Sequence, residues 1–167
     1  MKKILILGCG MRRLPHSIHL DINPKVNPDV VWDLTKYPWP FEDNRFKTII
    51  AEHILEHIWT QGDVEGYFKL FREIWRVCEN GAQVICETPY AMHTLAYADI
   101  GHRSFWIPAT YNFISKKEYK NNAEMKTKMS QYGIDFDFDI EKVMLLSFKG
   151  RENEGSAVLK VVLRVIK

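Results

Sequence analysis

Glycine and aspartate residues that could together bind a small polar ligand recur along the first part of the chain. Gly8 and Gly10 lack Cβ atoms, so a ligand could approach their backbone closely, and their N–H groups could hold a carboxylate or a phosphate. Asp21 could accept hydrogen bonds from both hydroxyls of a ribose. Asp33 could accept one from an adenine amino group, with the backbone of Leu34 donating another. Each residue also has a purely structural interpretation, as part of a tight turn or as a carboxylate that caps its own turn.

The elements that must position these residues follow from the hydrophobic pattern. Short apolar runs predict strands at Lys3–Leu7, Ser17–Ile22, Asp29–Leu34, Phe46–Ala51 and Ala82–Glu87. An apolar stripe predicts a helix over Asp63–Cys78, begun by Asp63 and ended by Asn80-Gly81. A second helix is expected over Ser115–Tyr132, and then an antiparallel hairpin made of Ile134–Phe148, the connection Lys149–Ser156 and Ala157–Ile166. We therefore predict an α/β fold with a mostly parallel, Rossmann-like sheet that binds its ligand at the carboxyl ends of the strands.

The spacing after the first strand argues against a dinucleotide as the ligand. Residues 11–17 leave no room for the long helix that opens a dinucleotide-binding fingerprint, and the third glycine of that fingerprint is missing. Without that helix N-terminus the site has a poor seat for a pyrophosphate. A ligand with a ribose and an adenine but no phosphate fits the pattern better.

Taken in order, the strand-end motifs resemble those of the class I S-adenosylmethionine-dependent methyltransferases. The resemblance rests on Ile4–Gly10, Ile18–Ile22, Asp33-Leu34 with Tyr37–Phe46, Thr48–Ile58, Phe71–Gly81 and Glu87–Pro89. It implies a methyltransferase whose cofactor is S-adenosylmethionine, with the reacting methyl group near Ala51–His53. The cofactor-binding residues that it implies are Gly8, Cys9, Gly10, Asp21, Ile22, Asp33, Leu34, Ala51, Glu52 and His53. The acceptor, a small molecule or the end of a polymer, stays open, and a catalytically inactive binding module of the same fold is the first alternative.

His53, Glu56 and His57 form a second candidate site. They spell H-x-x-E-H, which in inverted zinc proteases supplies two metal ligands and a general base. No acid on a second helix offers an obvious third ligand, so a metalloprotease is kept only as the last alternative.

The same three residues also resemble the E-x-x-E-H metal-binding motif of small-RNA 3′-terminal 2′-O-methyltransferases and of some ubiquinone-pathway O-methyltransferases. His53 replaces the first Glu of that motif, and His102 resembles a further ligand histidine. The resemblance implies a divalent metal with candidate ligands His53, Glu56, His57 and His102, which could lower the pKa of an acceptor hydroxyl. The alternative, which we prefer, is a metal-free site with His53, His57 and His102 as the catalytic residues, in which His57 or His102 acts as general base.

Further residues could contact the acceptor. Arg103 and Arg12-Arg13 could hold an anionic group, and a solvated surface role is the alternative for each. Three tryptophans could line the acceptor site or simply pack in the core: Trp39, Trp59 and Trp106.

The short connections at residues 11–17 and 22–28 depart from the methyltransferase pattern. A parallel crossover normally needs at least about 10–12 residues, so we expect few helices on one face of the sheet. Parallel sheets seldom leave a face in water. We therefore predict that the aromatic segment Tyr97–Phe113, or a second subunit in a homodimer, covers that face.

Composition limits the remaining possibilities. The chain has 167 residues without a repeat or linker, which predicts one domain over residues 1–167. A net charge of +2 gives no strong nucleic-acid signal, and the absence of a long apolar run predicts no membrane segment. Three scattered cysteines give no disulfide framework, so a cytoplasmic location is expected.

Overall fold

One mixed sheet of seven strands carries the candidate residues in the computed structural model, which describes residues 2–120, 122–147 and 155–167. In chain order the strands are β1 Ile4–Leu7, β2 Ser17–Asp21, β3 Val30–Val31, β4 Phe46–Glu52, β5 Cys78–Pro89, β6 Asp137–Ser147 and β7 Ser156–Ile166. Their order across the sheet is β3-β2-β1-β4-β5-β7-β6. The first five are parallel, and β7 lies antiparallel between β5 and β6. The predicted fold class is confirmed, while Phe148 and residues 149–154 of the predicted hairpin lie outside the described residues.

The described residues form four α-helices: α1 Leu55–Ile58, α2 Val64–Val77, α3 Lys116–Lys120 and α4 Ala123–Gln131. Asp63 caps α2 as predicted, because its Oδ1 accepts a hydrogen bond from the Gly66 N–H at 2.9 Å. The predicted helix Ser115–Tyr132 is instead divided into α3 and α4. Asn122 Oδ1 accepts from the Met125 N–H at 3.0 Å, which is the geometry of a residue that begins a new helix. No described helix has the length and apolar character needed to cross a lipid bilayer.

The bounds of β3 and β5 differ from the prediction because side chains and turns compete with backbone pairing. β3 has only two residues. Just before it begins, the Asp29 carboxylate accepts a hydrogen bond from the His19 N–H of β2 at 2.8 Å, so this N–H is not available for backbone pairing with β3. β5 begins directly after α2, so Asn80-Gly81 lies inside the strand and does not end the helix. Gly81 has a φ of +77°, and the register with β4 shifts at this point, which indicates a β-bulge.

The two faces of the sheet are covered unequally. The main core packs the sheet against α2 and includes Trp106 and Tyr111. The prediction that the segment Tyr97–Phe113 covers the opposite face is therefore wrong, because these two rings pack against Phe71 of α2. On the opposite face, a small cluster of Ile6, Cys9 and Ile50 is covered by the short connections that contain Leu14 and Val26. Residues 8–45 contain one 3-10 turn and no α-helix, so the predicted scarcity of helices is confirmed.

Candidate active site

Asp21 connects the ends of the first two strands. Leu7 of β1 pairs with Leu20, so the turn after β1 lies beside Asp21. Asp21 Oδ2 accepts a hydrogen bond from the Gly10 N–H at 2.8 Å, and Oδ1 accepts one from the Asn23 N–H at 2.9 Å. The carboxylate thus holds the turn in place, and each of its oxygens has a second lone pair for a ligand hydroxyl.

The two glycines of this turn do different things. Both have positive φ values, +58° at Gly8 and +50° at Gly10. A Cβ on Gly8 would lie 2.5 Å from Ile54 Cδ1, so Gly8 is needed to seat that side chain. A Cβ on Gly10 would meet no atom within 4 Å, so the space over Gly10 is open at the carboxyl edge of the sheet. Ile54, which sequence reasoning missed, gives the glycine turn its support.

Asp33 has the geometry of a turn cap. Its Oδ1 accepts from the Thr35 N–H at 2.9 Å and from the Thr35 hydroxyl at 2.7 Å. These hydrogen bonds lower the pKa of Asp33. Leu34 is buried, and its carbonyl accepts from the Trp39 indole N–H at 3.1 Å. The turn interpretation is therefore present in the structure, and an adenine contact by these two residues stays a prediction.

The end of β4 is bridged to the glycine turn by an ion pair. Glu52 pairs with the Arg12 guanidinium. Arg13 donates to the carbonyls of Gly10 at 3.0 Å and Asn27 at 3.1 Å, so it stabilises two connections of the chain. Of the two neighbouring arginines, Arg12 is the one that reaches the predicted methyl-transfer region.

His53 marks a sharp change of direction after β4. It has a φ of +51°, and its N–H donates to the Glu87 carbonyl of β5 at 2.8 Å. The ring is 48% exposed, and its Nδ1 lies 3.7 Å from Glu56 Oε1. The Glu56 carboxylate raises the pKa of His53. Because α1 begins at Leu55, His53 and His57 do not share a helix, and the H-x-x-E-H protease geometry is not formed.

A second group of side chains brings together Glu56, His57 and His102. Their potential ligand atoms all lie within 4.8 Å of one another. The ring centroids of His57 and His102 are 4.9 Å apart. The loop that carries His102 is attached to α1, because the Glu56 carbonyl accepts from the Arg103 N–H at 2.7 Å. Of the four predicted metal candidates, His53 is the one outside this group.

The three histidines line one open cavity of about 570 Å³. Its polar wall contains His53, His57 and His102 together with Glu56. Its apolar wall comes from residues that sequence reasoning missed, namely Pro89, Leu95, Ala98, Ile100, Ala157 and Val158. Ile100 is fully exposed and lies two residues before His102, but the sequence carried no signal that would have placed it at a cavity.

Solved structures show what this geometry is similar to. The chain resembles an S-adenosylmethionine-dependent methyltransferase from Archaeoglobus fulgidus, at 16% identity over 96% of this chain and 85% of that one, with a TM-score of 0.58. It resembles one from Mesorhizobium loti at 19% identity over 97% and 90% of the two chains, with a TM-score of 0.57. It also resembles the N-methyltransferase NodS from Bradyrhizobium japonicum, at 10% identity over 98% and 85%, with a TM-score of 0.59. The chain has the class I S-adenosylmethionine-dependent methyltransferase fold. No protein-family model and no curated protein matches its sequence.

Within this methyltransferase fold, the predicted cofactor residues differ in what they can offer a ligand. Gly10 and Asp21 present open space and free acceptor lone pairs, and Ile22 is 63% exposed beside them. The Cys9 side chain packs in the small second core, and its N–H donates to the Leu20 carbonyl at 3.1 Å. Ala51 has no exposed surface, so neither its side chain nor its backbone is open to a ligand. Gly10, Asp21 and Ile22 are therefore the predicted cofactor residues with space or acceptor groups open to a ligand.

The predicted tryptophans have structural roles. Trp39 and Trp106 are 2% and 0% exposed, and they belong to the main core. Trp59 is 8% exposed and packs edge to face on Trp106. Packing is therefore the role found for all three, and the cavity beside the histidines is lined by aliphatic side chains instead.

Proposed function

We propose that this chain is an S-adenosylmethionine-dependent methyltransferase whose acceptor enters the cavity beside His53. The observation that carries the proposal is the open space over Gly10 beside the Asp21 carboxylate, on the same strand edge as the cavity. Asp21 would bind the ribose hydroxyls, and the exposed Ile22 side chain would pack on the adenine. The solved methyltransferases of the same fold support this assignment.

The chain's own residues can orient an acceptor and take its proton. His57 and His102 each face a backbone carbonyl through Nδ1, whereas the His53 ring is the most exposed of the three predicted catalytic histidines. We assign the proton-accepting role to His53, because Glu56 stabilises its protonated form. Leu95 and Ile100 would exclude water from the acceptor. Gly10 and Asp21 would hold S-adenosylmethionine, which would supply an electrophilic methyl group to the acceptor's lone pair, with the electron pair of the carbon–sulfur bond left on sulfur.

Binding of S-adenosylhomocysteine, followed by calorimetry, tests the cofactor site. Asp21→Ala removes a charged acceptor, and such hydrogen bonds contribute about 1.5–3 kcal/mol, so affinity should fall about 10- to 150-fold. Asp135→Ala is the matched control, because this exposed aspartate pairs with Arg72 outside the site. Equal affinity in wild type and Asp21→Ala would contradict the assignment.

Transfer of a labelled methyl group to a panel of hydroxyl, amine and carbon acceptors then tests activity. Transfer that His53→Ala slows strongly above the pKa of His53, and only slightly at low pH where the wild-type imidazole is already protonated, would support the role of His53. Tight cofactor binding with no transfer to any class would favour the inactive binding module.

A further inference from the structure

A second cavity, separate from the one beside the histidines, lies between the first turns of α2 and residues 107–113. Its volume is about 390 Å³, which is within the usual range for a small-molecule site. No described residue lines both cavities. Five aromatic side chains contribute to the wall of this second cavity, which we call the aromatic cavity: Trp59, Tyr67, Phe68, Phe113 and Tyr132.

Contacts among its own walls hold the aromatic cavity in shape. The Tyr67 hydroxyl donates to the Thr110 carbonyl at 2.6 Å, which ties α2 to the segment that forms the opposite wall. The centroids of the Trp59 and Tyr67 rings are 5.1 Å apart, and those of Phe68 and Tyr132 are 5.4 Å apart. Aromatic rings attract each other at these separations. The walls are therefore ordered by the chain itself, without the help of a ligand.

Apolar surface stays exposed at this cavity although the main core is close by. Val64, Ile107 and Tyr132 all line it, and all three are exposed. Exposed apolar side chains that cluster in a concave place mark a binding site more often than scattered ones do. A planar aromatic ligand would gain most here, because rings attract each other beyond the burial of apolar area.

Gln61 supplies a polar group to the wall of the cavity. Its Oε1 accepts a hydrogen bond from the Phe105 N–H at 3.1 Å, and a backbone N–H can only donate, so the orientation of the amide is settled. No described residue accepts a hydrogen bond from Nε2 of Gln61. A carbonyl or carboxylate oxygen on the edge of a ligand would match these unused donors.

We propose that the aromatic cavity binds a planar aromatic molecule that carries a carbonyl or carboxylate oxygen on one edge. The rings of the wall would pack on the ligand, and Gln61 would donate to its oxygen. The Gln61 N–H also donates to the Arg103 carbonyl at 2.8 Å, so a ligand held by Gln61 stabilises the loop that carries His102 to the first cavity. Binding here requires neither S-adenosylmethionine nor methyl transfer, so it is independent of the proposed function.

Titration of the isotope-labelled chain with naphthalene-2-carboxylate tests the site through the indole N–H signals of its five tryptophans in a proton–nitrogen correlation spectrum. The signal missing from Trp59→Phe belongs to Trp59, and the probe should shift it. The signal of Trp75 should stay in place, because Trp75 lies two turns beyond Phe68 on α2 and does not line the cavity. The fully saturated analogue of the probe has the same carboxylate without the planar rings, and it should bind about 2- to 10-fold more weakly.

Gln61→Glu tests the polar group of the cavity. The substitution keeps an oxygen for the Phe105 N–H but replaces the donors with a negative charge, so binding of the probe should weaken about tenfold or more. Asn80→Asp is the matched control, because Asn80 Oδ1 also accepts from a backbone N–H, that of Lys167 at 2.9 Å, at an exposed position that does not line the cavity. Hydrogen exchange of the Phe105 N–H should slow when the probe binds.

Two alanines locate the probe in one cavity or the other. Ala109→Phe fills the aromatic cavity and should abolish the shift of the Trp59 signal, whereas Ala98→Phe, at an exposed alanine of the first cavity, should leave the shift unchanged. The reverse pattern, or no Trp59 shift up to the solubility limit of the probe, would overturn the site. Equal binding of the saturated analogue would refute the aromatic class, and unchanged exchange at Phe105 would refute the link to the His102 loop. An unmoved Trp75 signal shows that each variant is folded.

Discussion

Replacing Gly10 with alanine separates ligand binding from turn formation. The φ of +50° adds backbone strain of about 1–2 kcal/mol for an L side chain. The added Cβ meets no atom within 4 Å, so we expect no steric clash within the chain in addition to this strain. For a chain of this size, such a loss lowers Tm by about 2–8 °C. If the cofactor lies over Gly10, the methyl group overpacks the complex by about 1–3 kcal/mol, which weakens S-adenosylhomocysteine binding about 5- to 150-fold.

Gly133→Ala provides the matched control for this experiment. Gly133 has a φ of +56° and equally open surroundings, and it follows α4 at a distance from the strand ends in the chain. Thermal unfolding should therefore show similar losses in the two variants, whereas calorimetry should show weaker binding in Gly10→Ala alone. Gly8→Ala should lose more stability than either, because its Cβ would lie 2.5 Å from Ile54. Unchanged affinity in Gly10→Ala would refute the placement of the cofactor over this turn.

Three further predictions concern stability and reactivity. Hydrogen bonds from His19 of β2 lower the pKa of Asp29. The contribution of the Asp29 carboxylate to the free energy of unfolding is therefore present above its unfolded pKa of about 3.9 and is lost as pH falls through the lower, folded pKa. Urea unfolding of Asp29→Asn should show a loss of about 1 kcal/mol at pH 7, and this loss should shrink near pH 3. Burial raises the pKa of Cys78 and of Cys86 to about 12, so neither should react with a thiol reagent at pH 8 until the chain unfolds, and rapid native-state labelling would contradict their burial. Phe71→Ala should cost about 3–5 kcal/mol because its ring is fully buried, and Met92→Ala, at a side chain that is 76% exposed, should change the unfolding free energy by less than about 0.5 kcal/mol.

The central strands and α2 could be predicted from the sequence because burial on one or both faces determines their pattern. The continuous apolar run at Ile4–Leu7 indicates a strand buried on both faces, and the apolar stripe of Val64–Val77 indicates a helix with one buried face. The predicted bounds of strands and helices were wrong where a side chain competes with the backbone for a hydrogen-bond donor. Asp29 shortens β3 and Asn122 divides the last helical region, and such local competition depends on which N–H is available in the folded chain.

In the candidate site, too, the residues on neighbouring paired strands could be predicted from the sequence, whereas those on a distant loop could not. Gly10 follows β1 and Asp21 ends the neighbouring strand β2, so parallel topology alone brings them together. His102 is different, because its place beside Glu56 depends on a loop held by backbone hydrogen bonds and by the Ala96 carbonyl. Resemblance could nominate His102, but no periodicity in the sequence places that loop. The aliphatic cavity wall escaped prediction for the same reason.

The face of the sheet opposite α2 shows why the expected cover was not needed. Side chains on this face of β5 and β7 include Glu87, which pairs with Lys160, and Arg164, which pairs with Glu141 of β6. Charged residues on one face of a strand indicate contact with water, and Lys160 and Arg164, four residues apart and therefore on the same face, already contained that signal. The buried apolar cluster on this face centres on Ile6, and short connections cover it. The aromatic segment packs where apolar surface is largest, on α2, and burial of this opposite face does not by itself require a second subunit.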